Sequence, residues 1–493
     1  MPPLPSAADA GKLLAPIRLF LFALAAGVLV ANLYYVQPLT ALLAASFHIK
    51  LSWAGYLVTT TQIGYVLGVF LLVPLSDVLD RRSLLSLMLA ANIASLALAA
   101  LSPNFAVFAL AGLLIGISSS AVMVITSMVA SYAPDQSRGR MVGTVMTGLL
   151  LGILLARTVA GAVAGLSGDW RPMYVLAALV VSILLVVLRQ ILPAEAPRGK
   201  LQYGKLLQSL TAIVRAEPLL RQRALFSALG LGTFSVFWTG LTFLLSDAPY
   251  HYGEAQIGLF GLVGAAGALA ANAVGRLTDR GHGNAATWGL ALLTLASWVF
   301  IGFGAHTLVA LLAGVLLLDI GVMGLQVAHQ SVIYQLAPQA RARITTVFIG
   351  AGFIGAAAGS GIASASFAAG GWFGLTVAGA AMPMATLLLW TGYSLRKLRE
   401  PNVARAGLRE QILAIAARTT KVDPLQPFAL RRRTTVMPRN RALAEPIEQN
   451  GVRRQRSSWP TRTRDTPLRR RKWRGGDGYR ALPVPAPLGS RSP

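Results

Sequence analysis

Long apolar runs separated by short polar breaks occupy most of the chain. Cutting at charged, Pro-rich or Gly-rich breaks leaves twelve runs, near 17–45, 53–76, 84–101, 105–130, 141–166, 172–192, 223–246, 256–277, 286–304, 308–336, 344–368 and 372–395. At 1.5 Å per residue, most can cross a hydrocarbon core of about 30 Å. Strands would leave backbone groups unpaired in lipid, and the alternation typical of a barrel is absent. The pattern predicts an all-α membrane protein of twelve transmembrane helices.

Composition supports a lipid environment. Hydrophobic residues make up 55% of the chain and charged residues only 13%, a balance that would leave large apolar patches exposed on a water-soluble protein. There is no cysteine, and the five histidines are scattered, so we predict no disulfide, no metal site and no cofactor. The first apolar run is much longer than the core of a signal peptide, and we expect it to be retained.

The net charge of +26 is concentrated at one end. Residues 396–493 hold 24 basic and 7 acidic side chains, about two thirds of the net charge in under a quarter of the chain. This tail is rich in Pro, Gly and Ser, so we predict that 397–493 is largely disordered. It either adheres to anionic lipid, contacts a protein or nucleic acid, or is translation past a former stop with no selected role. We favour the last reading and expect no nucleic-acid partner.

The short loops differ in charge. Cations are concentrated in alternate loops, which the positive-inside rule places in the cytoplasm; they are Arg81, Arg82, Arg138, Arg140, Arg276, Arg280, Arg341, Arg343 and those of 193–222. The opposite loops hold only Lys50 and Arg171 as fixed cations. We therefore predict that both termini are cytoplasmic.

The polar interval 193–222 divides the runs six and six. The halves echo each other: Leu75-Ser-Asp77 precedes Leu277-Thr-Asp279 by 202 positions, and Gly152 precedes Gly355 by 203. This offset indicates a parallel duplication of a six-helix unit. The predicted segments are an N-terminal segment (1–16), a first bundle (17–192), a central cytoplasmic loop (193–222), a second bundle (223–396) and the tail.

The loop after the second run carries a family pattern. Val73-Pro-Leu-Ser-Asp77-Val-Leu-Asp80-Arg81-Arg82, with its echo Gly275-Arg-Leu-Thr-Asp279-Arg280, resembles the loop signature of the major facilitator superfamily over roughly 17–396. The resemblance implies two pseudo-symmetric six-helix bundles that move solutes by alternating access. It also implies that Asp77, Arg81, Arg82, Asp279 and Arg280 close a cytoplasmic gate, whereas ordinary positive-inside topology explains the arginines but not the matching aspartates.

Three further stretches are similar to bacterial efflux permeases of the drug:proton antiporter kind: Asn32–Leu39, Gly148–Gly161 and Asp319–Gln326. This resemblance implies export coupled to protons across a bacterial inner membrane.

Charged side chains inside apolar runs are candidates for coupling. Arg157 lies roughly 13 Å, and Asp319 roughly 16 Å, from the end predicted to be periplasmic, and charges at such depths are costly unless they serve a cavity or a partner. The two have opposite charge and lie in different halves, so we expect them to approach in one conformation and separate in another. His329 is a third candidate, although we favour a packing role for it. For all three, snorkelling or a structural hydrogen bond is the alternative.

Polar and aromatic groups within the runs are cavity candidates, with helix-packing hydrogen bonds as the alternative; they are Tyr34, Tyr35, Gln37, Gln62, Tyr65, Trp238, Thr242 and Gln326. The glycines of the fifth and eleventh runs are expected to permit close helix approach rather than to touch substrate.

No nucleophile–base cluster and no Walker-type phosphate loop stands out in the sequence. We expect a monomeric secondary transporter that exports a small organic solute, with protons as the coupling ion. An importer or uniporter on the same fold is the alternative; a channel, a receptor or a membrane-embedded enzyme is more remote.

Overall fold

A computed structural model describes residues 16–134, 137–192, 203–277, 283–333, 336 and 341–419. The regular elements in these ranges are helices, and those through Ala416 belong to one unit. In chain order they are α1 (Pro16–Ala31), α2 (Val36–Ser46), α3 (Leu51–Ala54), α4 (Tyr56–Leu71), a 3₁₀ turn (Val73–Asp77), α5 (Arg81–Ala100), α6 (Phe105–Ser119), α7 (Ala121–Tyr132), α8 (Arg138–Ser167), α9 (Arg171–Ile191), α10 (Tyr203–Ala216), α11 (Pro218–Leu245), α12 (Glu254–Leu277), α13 (Gly283–Phe303), α14 (Leu308–Ile333) and α15 (Arg341–Thr419).

Each predicted apolar run corresponds to helix. Among the described residues, ten segments are long and apolar enough to cross a membrane. One of them, Arg343–Leu395, is 53 residues long and holds two predicted runs, separated by non-helical Gly370 and Gly371. The φ of +58° at Gly371 lies in the left-handed region, which glycine adopts without steric cost. The remaining run is the 24-residue α12. In the described residues, six membrane-spanning segments precede α10 and six follow it, which agrees with the predicted fold class.

Two membrane-spanning segments of the first half are interrupted near mid-length. Residues 32–35 separate α1 from α2, and Ser120 separates α6 from α7. A buried amide network lies beside both breaks: Asn32 Nδ2 donates to Asn92 Oδ1 at 2.8 Å, and Asn92 Nδ2 donates to Ser118 Oγ at 2.9 Å. The first break matters for function because it orients Tyr34 and Gln37.

The predicted close approach of glycines is confirmed. Gly148 and Gly152 of α8 lie directly against the backbone of α1 at Ala23 and Gly27. In the second half, Gly355 of α15 lies against the backbone of α11. Because lipid provides little hydrophobic drive for helix association, such small-residue contacts are a main source of packing energy.

Substituting Gly152 tests this contact. Gly152→Val places a branched side chain against the backbone of Gly27, and we expect it to destabilise the fold by roughly 1–3 kcal/mol, the usual cost of overpacking. The matched control is Gly143→Val on the same helix, where nothing lies within 4 Å of an added Cβ. Thermal unfolding of both variants in detergent is the measurement, and equal melting temperatures would contradict the assignment.

The interval 193–222, predicted as a loop, contains a helix. Within its described part, α10 is followed directly by the start of α11 at Pro218, five residues before the predicted start of the seventh run. Apolar side chains spaced three and four apart give α10 one apolar face. Leu210 on that face is buried in a cluster with Leu220, Ile333 and Phe348. The segment predicted as the central cytoplasmic loop therefore contains a helix over 203–216, and its cytoplasmic placement stays a prediction.

Candidate functional site

A buried arginine lies where the two halves meet. Arg157 of α8 has only 2% of its surface exposed. Its guanidinium carbon lies 3.9 Å from the ring centroid of Trp238 in α11 and 4.9 Å from that of Tyr34. Nε donates to Gln37 Oε1 at 2.6 Å, and Nη1 donates to the Ile153 carbonyl at 3.1 Å. Aromatic faces and an amide thus hold this cation in place.

Asp319 of α14 contacts the same indole. Trp238 Nε1 donates to Asp319 Oδ1 at 3.4 Å, and the carboxylate is 1% exposed. Gly264 and Gly267 of α12 lie close against it, and a Cβ at either position would collide with Asp319. The acid is therefore enclosed by three helices of the second half.

Arg157 and Asp319 both contact Trp238, but they do not form an ion pair within 4 Å of each other. In this conformation the expected approach is mediated by Trp238, which contacts both groups. We refer to Arg157, Trp238 and Asp319 as the central triad. The expectation of direct pairing in another conformation stays a prediction.

Both charged ends of the triad retain an unused polar atom. Arg157 Nη2 and Asp319 Oδ2 are buried, and neither has a hydrogen-bond partner in the described part of the chain. The same holds for Oε1 of Gln62 in α4. Since buried polar groups are nearly always satisfied, a free donor and a free acceptor at one site suit a solute or a proton.

Gln37 links the triad to a second contact between the halves. Its side chain accepts from Arg157, and its carbonyl accepts from Thr242 Oγ1 of α11 at 2.7 Å. Thus four of the cavity candidates, Tyr34, Gln37, Trp238 and Thr242, lie together with the two main coupling candidates. Thr158, next to Arg157, adds a third contact by donating to the Gly258 carbonyl at 2.9 Å.

The other cavity candidates of the first half are also buried. Tyr65 packs on Phe353 of α15, with ring centroids 4.2 Å apart. Tyr35 belongs to the same buried hydrophobic cluster as Tyr174 of α9. Gln62 keeps the unused acceptor described above.

Gln326 and His329 contact α11 nearer its N-terminus than Trp238 does. Gln326 Oε1 accepts from Ser227 Oγ at 3.0 Å. His329 Nδ1 lies 2.9 Å from Arg223 Nη1, and its ring stacks on Phe226. These contacts agree with the packing role favoured for His329. Arg223 was not predicted as a site residue, because it lies at the edge of an apolar run.

Only part of the predicted cytoplasmic gate lies within the described residues. Arg81 is buried, with Nη1 donating to Ser131 Oγ at 2.6 Å and Nε donating to the Ser76 carbonyl at 3.3 Å. It thereby joins the 3₁₀ turn to α7. Asp80 caps α5 by accepting from the backbone of Arg82 and Ser83. Asp279 and Arg280 lie outside the described residues, as do 193–202 and the tail beyond 419.

Comparison with known proteins gives a consistent result. The sequence matches the Major Facilitator Superfamily profile over residues 19–360. It is 40% identical to the "Putative uncharacterized transporter YgaY" of Escherichia coli (strain K12), covering 76% of this chain and 95% of that protein. It is 25% identical to a "Probable sugar efflux transporter" of Helicobacter pylori (strain G27), covering 70% of this chain and 86% of that protein.

A solved structure shares the fold. The crystal structure of the human organic anion transporter MFSD10 superposes with a TM-score of 0.59 at 21% identity, covering 76% of this chain and 100% of that chain. At this identity the likeness establishes the fold alone.

Proposed function

This chain belongs to the Major Facilitator Superfamily and is a membrane transporter, and we propose that it exports a small organic solute in exchange for protons. In this proposal the bundles at 17–192 and 223–396 rock about the central triad, so that the solute site faces each side of the membrane in turn. The protein acts as a monomer in the bacterial inner membrane.

The observation that supports this function best is the triad's position between the halves. Arg157 belongs to the first bundle, while Trp238 and Asp319 belong to the second. A rocking motion changes the contact of Arg157 with the indole but leaves the bond from Trp238 to Asp319 within one bundle. The triad therefore differs between the two states, which is the requirement for a ligand or proton to shift their equilibrium.

The proposed proton coupling depends on the opposite charges of Asp319 and Arg157. With Asp319 ionised, its negative charge favours keeping Arg157 close. The unused Nη2 of Arg157 can then donate to a solute held between the bundles. Protonation at Oδ2, which has no partner among the described residues, removes that attraction, lets Arg157 move away and so takes the donor from the solute. Proton and solute then favour different conformations, which is a coupling free energy between two ligands.

The direction and the substrate class are proposed from a relative and from the groups near the triad. Export agrees with the name of the H. pylori relative, a probable sugar efflux transporter. Amide and aromatic groups at Tyr34, Gln37, Gln62 and Trp238 suit a polar organic molecule such as a sugar, since they offer hydrogen bonds together with flat apolar faces.

Transport assays test the proposal. Purified protein in liposomes is screened for counterflow with sugars, sugar alcohols and small aromatic compounds, and hits are tested in inverted vesicles with an acidic interior. We expect saturable counterflow and accumulation that disappears when the pH gradient is collapsed. Counterflow that is indifferent to the gradient would identify a uniporter, and uptake into right-side-out cells driven by external acid would identify an importer.

The proposed topology has a separate test, because the chain has no native cysteine. Asp247 lies exposed between α11 and α12, and Thr211 lies exposed on α10. We expect a membrane-impermeant maleimide to label Asp247→Cys in cells with a permeabilised outer membrane, and Thr211→Cys only after the inner membrane is opened. The reverse pattern would place both termini outside and remove the cytoplasmic gate from the proposal.

A further inference from the structure

A second buried arginine lies far from the central triad. Arg223 precedes Trp238 by 15 residues on α11, roughly 22 Å along the helix, and is 8% exposed. No carboxylate lies within ion-pair distance of it in the described ranges. Its contacts are His329 Nδ1 at 2.9 Å and the face of Trp390 in α15, whose centroid is 4.8 Å from the guanidinium carbon. The positive charge is thus buried without an anion from these residues.

The neighbouring polar atoms are donors. A guanidinium can only donate, so Nδ1 of His329 accepts and its Nε2 carries the ring hydrogen. This Nε2 is buried without a hydrogen-bond partner among the described residues, and so are Arg223 Nε, Trp390 Nε1 and Ser394 Oγ. Buried donors are rarely left unsatisfied. Arg223 thus keeps one unused donor, its contacts His329 and Trp390 keep one each, and Ser394 follows Trp390 by one turn of α15. Such a set of donors matches the chemistry of an anion with several acceptor oxygens.

The cluster adjoins the lipid-facing surface. Leu389, next to Trp390 on α15, is 47% exposed, and Leu395, next to Ser394, is 53% exposed. The sequence continues beyond Leu395 with Arg396, Lys397 and Arg399, so basic residues follow the cluster along the chain. Basic pockets between transmembrane helices on the cytoplasmic side bind anionic lipid headgroups.

We infer that Arg223, His329, Trp390 and Ser394 form a binding site for the phosphodiester headgroup of an anionic phospholipid. The guanidinium Nε–H and the indole N–H donate to phosphate oxygens, with the imidazole and the hydroxyl as further donors. Binding there joins α11, α14 and α15, so anionic lipid stabilises the second bundle. This site does not depend on the proposed transport function, because it shares no residue with the central triad.

The test titrates purified full-length protein in detergent with phosphatidylglycerol, phosphatidylcholine or inorganic phosphate, and follows lipid binding by native mass spectrometry and unfolding by melting temperature. We expect phosphatidylglycerol to bind more tightly than phosphatidylcholine and to raise the melting temperature. Arg223→Gln should weaken the phosphatidylglycerol binding at least tenfold, about 1.4 kcal/mol, because it removes the charged donor of the site.

Two controls keep the test decisive. Arg189→Gln removes an exposed cation from the last turn of α9 and should leave binding unchanged. Should Arg223→Gln fail to fold, the double variant Trp390→Phe with Ser394→Ala removes two donors while keeping the cation, and it should show the same loss of selectivity. Three results would each overturn the inference. The two lipids could bind equally well, Arg189→Gln could weaken phosphatidylglycerol binding as much as Arg223→Gln does, or the protein could respond to inorganic phosphate alone.

Discussion

Asp319→Asn is expected to abolish transport driven by a pH gradient while leaving solute exchange measurable. Asparagine keeps the shape of the side chain and can still accept from Trp238 Nε1, so the site should retain its packing. It cannot exchange a proton, and its neutral side chain mimics the protonated acid permanently. In proteoliposomes, gradient-driven accumulation should therefore fall to the level of protein-free vesicles, whereas counterflow should stay within about tenfold of wild type, a change of about 1.4 kcal/mol in barrier.

The control makes the same chemical change at the surface. Asp169→Asn alters an acid whose side chain is 42% exposed and lies 3.6 Å from Arg171. Exposed ion pairs contribute about 0–1 kcal/mol, so this variant should accumulate solute like wild type. A second readout is the pH dependence of exchange, which should be present in wild type and flat in Asp319→Asn. Undiminished gradient-driven accumulation by Asp319→Asn would remove Asp319 from the coupling role.

The membrane spans could be predicted because each must satisfy its own backbone over a fixed thickness, a demand that leaves a direct trace in hydropathy. Other features of the fold have a weaker trace. Pro38 cannot donate to the carbonyl of Tyr34, which favours a break between α1 and α2, but the bond from Asn32 to the distant Asn92 could not be predicted from one sequence. Helix α10 has an apolar face, but its interval is polar on average, and mean polarity does not reveal the helix.

The central triad was predicted residue by residue but not as an arrangement. Arg157 and Asp319 stood out because an ionisable group in a membrane span is costly unless it has a role. That they share the indole of Trp238 depends on the rotation of α8, α11 and α14 about their own axes. Packing sets this rotation, and a single sequence does not reveal it. The ion pair expected from matching depths is accordingly replaced, in this conformation, by contacts through an aromatic ring.

Arg223 was not among the predicted site residues, because it is the first residue of an apolar run. In the structure, α11 begins at Pro218, so Arg223 lies more than a turn inside the helix and is buried. A closer reading of the helix start, with Pro218 at a position that favours initiation, was the signal available in the sequence.

Arg157→Ala is expected to impair both gradient-driven transport and exchange, and to destabilise the protein. The substitution removes the hydrogen bond to Gln37 and the contact with the Trp238 face, and it leaves Asp319 without the opposite charge with which it interacts. A hydrogen bond to a charged group contributes about 1.5–3 kcal/mol, and a desolvated cation–π contact contributes about 2 kcal/mol, so the loss of both should be measurable. A lower melting temperature in detergent and counterflow near background are the expected measurements.

A double-mutant cycle separates charge coupling from general damage. Arg157→Ala combined with Asp319→Asn removes both charges, so no uncompensated group remains in the site. We expect the double variant to regain part of the stability lost in Arg157→Ala, with a coupling free energy of about 0.5–3 kcal/mol, yet to stay inactive in gradient-driven transport because it has no acid. Arg157→Lys adds a second comparison, since lysine keeps the charge but lacks the planar guanidinium that lies on the indole. Strictly additive losses in the double variant would show that Arg157 and Asp319 do not act together, and would leave Trp238 as a packing residue only.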